Sequence, residues 1–557
     1  MKRDTLLSRW NETSTSIDSA LSVRFQWIVV GAILLGTLSV RLSTIDSPSI
    51  DRSPWKEIDY LMISKSYFEN GYRFLYPEID WPAQEPRYTA MELPVVPYVA
   101  ALCYGIFGYS AFSARLLPAV AWLVTALYAF LLGRRECGRL PGLVACLAAA
   151  VLPLHHPFGR LLFSEPVVIA LSIAAVFHFF RWHAVGLRRD LLITLATFTL
   201  AIALKLTPLY LLLPLGWITL RSRLPQRDDG SVSLPPAFSA LISTARCMVP
   251  LTLAALILPI AWYAWAWHLA NESIDVFGIF GGRFGGHDKF QTVEMLSNAD
   301  WYRTMIDRLT WQVCGSRITL ALAALGVVVS VVTRRNGLAF AYLAAIGCFF
   351  AIVAEGQIDA PYRQLTILPA LCLLIAVGAA TLATCGVLAI TSFVPGFRGI
   401  PSWLVECGTA AALCVVLTVP VSNRQIVFGQ DRWTASTPRK WELAMRLREL
   451  APPNSTLITL GEYTVHKGGN DLSPELYFYS GFRGFSLQAR DCAAADIDAL
   501  IRNGATHFVA VDFPREPEVV PFLNSLKSRF PVLHESERDL VLKLSETSVG
   551  PLLTSNE

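Results

Sequence analysis

Between residues 25 and 421 the chain returns repeatedly to apolar runs long enough, or nearly long enough, to cross a bilayer. A helical crossing needs about 20 mainly apolar residues, because the hydrocarbon core holds no water to satisfy a bare peptide group. Such runs fall at 25–42, 115–132, 142–154, 163–180, 191–205, 207–220, 247–268, 318–333, 338–354, 364–390 and 403–421. They predict a polytopic α-helical membrane protein of about 11 spans, the third and fifth of them short. Composition agrees: 53% of the 557 residues are hydrophobic and 16% charged, too greasy for a soluble enzyme of this length. The net charge of +4 is dispersed in small groups and forms no stripe, which argues against nucleic acid as a partner.

The basic residues set an orientation. Lys2, Arg3, Arg9 and Arg24 precede the first span. Arg134, Arg135 and Arg139, then Arg181, Arg188 and Arg189, then Arg221, Arg223 and Arg227, then Arg334 and Arg335 occupy every second loop. By the positive-inside rule these loops are cytoplasmic. The first span ends in VRLSTID with no small-residue cleavage site, so it reads as a retained anchor. Four segments then face the other side: 43–114, 155–162, 269–317 and everything after about 422. Cys103, Cys146, Cys348, Cys372, Cys385, Cys407 and Cys414 lie in apolar runs, where cysteine behaves as a small hydrophobe. Cys314 and Cys492 fall in outer segments, but no spacing rule pairs them.

The first outer segment carries the most chemistry. It opens with WKEIDYLMISKSYFENGY (Trp55 to Tyr72) and continues through LYPEIDWP and MELPVVPY, whose Trp, Tyr and Pro residues suit a chain lying at the headgroup level. Two short interfacial helices are expected, around 56–70 and 94–107. Glu69, Glu78, Asp80 and Glu85 read as solvated surface. Glu57 and Asp59 differ, because Ile58, Leu61, Met62 and Ile63 should draw their helix out of water, and a carboxylate held there loses solvation. Two positions apart, they point about 200° away from each other, so one is expected to enter a shared site, and Asp59 is the choice.

Two later positions are of the same kind. Glu165 precedes Pro166 at the start of a span, where an acid gains from the helix dipole, and the same turn brings Arg160, His155 and His156. Lys205 stands at the outer end of two apolar spans in IALKLTPLY. An amine costs roughly 2.5–3.5 kcal/mol at the bilayer centre and less near the interface, so Lys205 calls for an anion, either a protein carboxylate or a lipid phosphate.

After residue 422 the character changes. TLITLGE, THFVAVDF, FPVLHE and DLVLKLS are β-prone and alternate with helix-like stretches at 438–451, 493–503 and 516–529, the pattern of a small extracytoplasmic α/β domain. It has no GxGxxG, P-loop or nucleophile elbow. Tyr477, Tyr479, Phe482 and Phe485 in ELYFYSGFRGF offer either a sugar-stacking face or plain core, and core is the commoner use of such spacing.

Taken together, the acidic first loop with YFENG, the EP-capped span after HHPFGR, and the stretches ELPVVPYVAALCYGIFGYSAFSARLLPAV, ALKLTPLYLLLP and APYRQLTILPALCLL resemble membrane glycosyltransferases of the GT-C fold. The nearest likeness is to the family 39-like bacterial branch related to protein O-mannosyltransferases and the aminoarabinose transferases of lipid A. The resemblance covers roughly residues 25–380. It implies a sugar taken from a polyprenyl-phosphate carrier at the outer membrane face and passed, with inversion, to an acceptor that is a lipid, glycan or protein. It also implies residue roles: Asp59 as base with Glu57 as the alternative, Glu165 as a second acid that holds the acceptor, and Lys205 and Arg160 as cations for the leaving phosphate. Tyr60 and Glu92 are expected to contact substrate.

Two departures stand out. Relatives often carry an adjacent Asp-Glu pair in the first loop and a Lys before the following PP, whereas here the runs read KEID and MELP, with Glu92 in the place of the Lys. Part of the phosphate role then falls to Tyr362 and Arg363 in APYRQ, or to Arg283 and Lys289 in the glycine-rich GIFGGRFGGHDKF, which otherwise reads as a loop. The scheme requires no cofactor, and the clustered outer carboxylates leave room for a divalent cation.

The expected organisation is a cytoplasmic N-terminus (1–24), a transmembrane catalytic domain (25–422) with outer loops at 43–114 and 269–317, and a periplasmic α/β domain (423–557). The expected location is the cytoplasmic membrane, with the active site on the outer side. A transporter of lipid-linked saccharides is the alternative of a different class. Such proteins show repeated halves and midplane charges; this chain shows no internal repeat, and its polar groups gather at the outer interface. A third reading is a silent membrane scaffold, for which Asp59 and Lys205 would be dispensable.

Overall fold

The computed structural model describes residues 18, 21–43, 45–46, 54–81, 83–89, 91–154, 158–159, 161–223, 237–272, 293–393, 408, 437–461, 463–464, 469–470, 473–488, 492, 495–513 and 519–544. The chain divides into two compact units. One comprises Met1–Ser47, Glu92–Ala264 and His287–Gln430, the other Pro48–Met91, Trp265–Gly286 and Asp431–Glu557. Most of the first outer loop therefore groups with the C-terminal residues, which sequence order does not show.

The first unit is helical. Val23–Leu42, Ala111–Glu136, Ser164–Val185, Ser239–Glu272 and Pro361–Ile390 are long and apolar enough to cross a membrane, and the pair Ala299–Val313 and Arg317–Thr333, bent by 105°, adds a sixth if it is one span. The expected spans at 142–154, 191–205, 207–220, 318–333 and 338–354 form helices of 12 to 17 residues: Arg139–Val151, Arg188–Leu204, Leu212–Arg223, Arg317–Thr333 and Gly337–Ile352. The expected span at 403–421 lies outside the described residues except for Gly408. One break has a plain cause. Pro208 lacks an N–H to donate, and the chain from Thr207 to Leu211 is a 3-10 turn before the helix resumes at Leu212.

Packing in this unit is close. A Cβ added to Gly326 would lie 2.0 Å from the Leu374 carbonyl oxygen, and one on Gly378 2.0 Å from that of Leu322. Only glycines let helices Arg317–Thr333 and Leu368–Phe393 approach backbone to backbone, the usual way helices gain contact in lipid. The four basic turns expected in the cytoplasm converge at one end. Arg221 Nη1 donates to Glu136 Oε2 at 3.0 Å, Arg135 lies 4.4 Å from the Phe180 ring centroid, Cys137 Sγ donates to Asn336 Oδ1 at 3.0 Å, and Ser222 Oγ is 3.2 Å from His183 Nδ1.

In the second unit the strands are β1 (Thr456–Leu460), β2 (Tyr463–Thr464), β3 (Gly469–Asn470), β4 (Arg483–Leu487), β5 (His507–Val511), β6 (Val532–Glu535) and β7 (Asp539–Lys543). Five form one sheet in the order β4-β1-β5-β7-β6. β1 is parallel to β4 and β5, while β7 is antiparallel to β5 and β6. Central β5 is buried at every position, as its unbroken HFVAV requires of a strand covered on both faces. β2 and β3 form a separate hairpin.

The ELYFYSGFRGF stretch, read only as an aromatic run, is a helix (Pro474–Ser480) followed by β4. Pro474 at its first turn and Gly481 with φ +77° beyond its last residue mark its ends, the proline-start and glycine-stop asymmetry. Tyr477, Phe482 and Phe485 are buried, and the Tyr477 hydroxyl bonds to Thr459 Oγ1 and to Ser486 Oγ. These three are core, and Tyr479 is half-buried.

Candidate active site

The loop helix expected near 56–70 runs from Pro54 to Glu69. It is buried without interruption from Lys56 to Ser64, so Glu57 and Asp59 are both enclosed despite pointing apart, at 0% and 1% exposure. The covering on one side is protein: helix Pro474–Ser480 packs against it, and the Gly484 N–H of β4 donates to the Asp80 carbonyl at 3.2 Å. Tyr60 is buried in the same helix.

Asp59 Oδ1 is buried and has no hydrogen-bond partner among the described residues. Burial, and next the nearby Glu475 carboxylate, push the Asp59 carboxyl well above the usual carboxylate range, while Lys56 and the Trp81 indole N–H pull it down. Desolvation dominates because the charged form loses most of its hydration. Glu475 is itself 1% exposed, with Lys440 Nζ 3.9 Å from its Oε2. Sequence reasoning missed Glu475. Its one signal is an acid set between Pro474 and the apolar Leu476 and Tyr477.

Of the other loop acids expected to be solvated, Glu78 is buried and Asp80 half-buried, while Glu85 is exposed as expected. Arg87, 3% exposed, donates to Glu85 Oε1 at 2.7 Å and to the Ile79 carbonyl at 2.9 Å, and pairs with Glu78 Oε2 at 3.4 Å and Asp80 Oδ1 at 3.5 Å. One buried guanidinium thus clasps the loop, using its fork of donors. Glu69 is exposed, as expected.

A second cluster lies in the first unit. Glu165 occupies the first turn of Ser164–Val185, and Lys205 follows the last residue of Arg188–Leu204 with extended backbone. Their side chains, 6% and 14% exposed, form an ion pair between Oε1 and Nζ. The anion that Lys205 calls for is thus, here, a protein carboxylate. The ammonium also stands 5.0 Å from the Tyr362 ring centroid, a cation–π distance. Tyr362 rests on Phe158 and Phe163, at centroid distances of 5.7 and 5.8 Å. The Leu93 N–H donates to the Ala203 carbonyl at 3.3 Å, so half-buried Glu92 comes in beside the end of the lysine's helix.

Arg363 presses on Gly356, where a Cβ would meet its Nη1 at 1.6 Å, and that Nη1 is buried without a hydrogen-bond partner. Arg160, His155, His156, Arg283 and Lys289 lie outside the described residues. Asp59, Glu57 and Tyr60 fall in the second unit, and Glu165, Lys205, Tyr362, Arg363 and Glu92 in the first. Cys314 is a free, buried thiol, and Cys492 is buried as well. Among the described residues no group of three or more His, Cys, Asp or Glu side chains is placed to hold a metal ion.

Comparison with known proteins follows the same lines. Residues 86–227 match the family model described as dolichyl-phosphate-mannose-protein mannosyltransferase. No curated protein sequence matches the chain. Among solved structures, ArnT from Cupriavidus metallidurans bound to undecaprenyl phosphate is 16% identical, with 94% of this chain and 99% of that one covered and a TM-score of 0.61. The apo state of the same protein gives a TM-score of 0.63 at 16% identity, with 94% and 98% covered. The Archaeoglobus fulgidus oligosaccharyltransferase tethered with an acceptor peptide containing the NVT sequon is 12% identical, with 88% and 70% covered and a TM-score of 0.52. The resemblance read from the sequence is borne out: the chain has the GT-C fold of these membrane glycosyltransferases, and its residues 86–227 match the mannosyltransferase family model.

Proposed function

We propose that this protein is a membrane glycosyltransferase that moves a hexose or pentose from a polyprenyl-phosphate donor to a hydroxyl of a lipid, glycan or protein acceptor. The reaction takes place at the outer face of the cytoplasmic membrane and inverts the anomeric centre. The observation that carries the reading is the Asp59 carboxylate: 1% exposed, with an oxygen, Oδ1, that no described residue satisfies, in a chain with the fold of membrane glycosyltransferases.

In this scheme Asp59 accepts the proton of the acceptor hydroxyl as its oxygen attacks the anomeric carbon. The bond to the carrier phosphate breaks, and the polyprenyl phosphate departs with the electron pair. A base whose pKa is raised toward the working pH is the more effective one, and a positioned base contributes about 10²–10⁴-fold. Lys205 meets the phosphate. Its ammonium has three donors, so it can hold Glu165 and a phosphate oxygen together, and a preorganised cation in a poorly hydrated site stabilises the charge that grows there. Glu57 is the alternative base, Glu165 orients the ammonium and the acceptor, and Tyr60, Glu92, Tyr362, Arg363 and Arg160 contact substrate. The C-terminal sheet stands on the outer side, and the scheme draws on no cofactor.

The test is transfer by the full chain in nanodiscs supplied with a pool of polyprenyl-phosphate sugars. Wild type should consume one lipid-linked sugar. Asp59→Asn should lower turnover by about 10²-fold or more with donor binding nearly unchanged. Normal turnover in both Asp59→Asn and Glu57→Gln would sink the reading.

A further inference from the structure

Arg41 sits in the last turn of Val23–Leu42 and is 3% exposed. All three of its guanidinium nitrogens, Nε, Nη1 and Nη2, are buried without a hydrogen-bond partner among the described residues. The guanidinium carries five N–H donors and stays charged, so enclosing it unpaired is among the costliest arrangements a fold can contain. Its surroundings do not compensate. The group lies 5.5 Å from the Trp122 ring centroid, but a cation–π contact leaves every N–H unsatisfied. The carbonyls of its own last turn, the usual partners of a terminal arginine, accept nothing from it. The Ile45 carbonyl, four residues on, accepts from Arg115 Nη1 at 2.6 Å.

The chain packs a glycine against this group. A Cβ added to Gly159 would lie 2.3 Å from Arg41 Nη1 and 2.0 Å from Trp122 Nε1, so only a glycine permits this approach. Helix Val23–Leu42 begins beside Ser22, after the basic N-terminal residues, and Arg41 is at its far end. That is the level of the turn containing Phe158 and Gly159, which precedes the Glu165 helix.

We propose that Arg41 is the anchor of an anion site for a phosphate group, at the outer end of the first span, framed by Trp122 and Gly159. A phosphate suits the group because its oxygens accept from the guanidinium fork bidentately, and it brings the charge that no described residue supplies. Two sources share this chemistry, the phosphate of a membrane lipid and free inorganic phosphate. The inference goes beyond the transferase reading, since its readout is anion binding and not sugar transfer.

The experiment uses the purified full chain in detergent, with thermal midpoints and binding isotherms for three probes: undecaprenyl phosphate, inorganic phosphate and undecaprenol. Wild type should be stabilised by a phosphate-bearing probe and not by undecaprenol. A response to undecaprenyl phosphate alone that is lost in Arg41→Met names a lipid headgroup at this site and not at Lys205, and an Arg41-dependent response to inorganic phosphate as well names the free anion. Arg41→Met removes the charge at similar volume and should weaken that binding about tenfold or more. Arg41→Lys, which keeps the charge and loses the fork, should retain part of it. Without ligand, Arg41→Met should be as stable as wild type or more so, because an unpaired buried charge has been removed; this separates loss of the site from loss of the fold. Equal phosphate responses in wild type and Arg41→Met overturn the proposal, as does a wild type that responds to undecaprenol as strongly as to undecaprenyl phosphate.

Discussion

The carboxylate of Glu165 and the ammonium of Lys205 form an ion pair that ties the first turn of one apolar helix to the residue that ends the next. Each residue is conspicuous by itself in the sequence, an acid before a proline and an amine among apolar neighbours. Together they neutralise each other at the end of the helical unit away from the basic turns.

Removing one partner of a buried pair costs about 3–5 kcal/mol, whereas replacing both with apolar groups is often neutral. With side chains 6% and 14% exposed, the lower end of that range is expected. Lys205→Met and Glu165→Met should each lower the thermal midpoint in detergent, and the double variant should recover most of the loss. Additive losses would show that the two groups do not depend on each other.

Asp59 gives a stability prediction with a definite sign. Its carboxyl ionises near 3.8 when free of the fold, and well above that within it. Its contribution to stability is therefore complete below the unfolded value and is lost as pH rises through the folded one. Asp59→Asn cannot ionise. Its thermal midpoint should match wild type near pH 4 and exceed it at about pH 8. A variant less stable than wild type at both ends would mean that the ionised carboxylate is held by groups that outweigh its desolvation.

Glu475 offers a prediction that an ordinary helix-start acid would not. Its charge helps to raise the Asp59 carboxyl, against the opposing effects of Lys56 and Trp81. Glu475→Gln removes that charge, so Asp59 should ionise at lower pH and the acid limb of the kcat profile should move down. An acid limb that stays in place would leave Glu475 a purely structural residue.

Orientation can be read with single cysteines. Gln84, Asn503 and Arg223 are all exposed. Cysteines at the first two should react with an impermeant thiol reagent when only the outer face is accessible, and one at Arg223 should react only after the membrane is opened. Labelling at Arg223 from outside would invert the arrangement.

The sequence by itself determined what local pattern controls. Hydropathy identified the long membrane helices, and the loop helices expected at 56–70 and 94–107 lie at Pro54–Glu69 and Val95–Phe107. β-prone runs marked β1, β5, β6 and β7, because alternation and apolar length are properties of neighbouring residues. Asp59 and Lys205 stood out because a charge among apolar neighbours is costly wherever the chain goes.

Only the tertiary structure decided what surrounds those charges. Glu475 reaches Asp59 because helix Pro474–Ser480 packs on helix Pro54–Glu69, and no periodicity links segments so far apart in the chain. Arg87 gathers Glu78, Asp80 and Glu85, which in sequence look like solvated acids. Arg41 closes a span as an unremarkable terminal arginine, yet the fold buries it without a partner. A side chain's electrostatic state depends on how much water it keeps and which charge it meets, and both are set by contacts that form only when distant segments pack together.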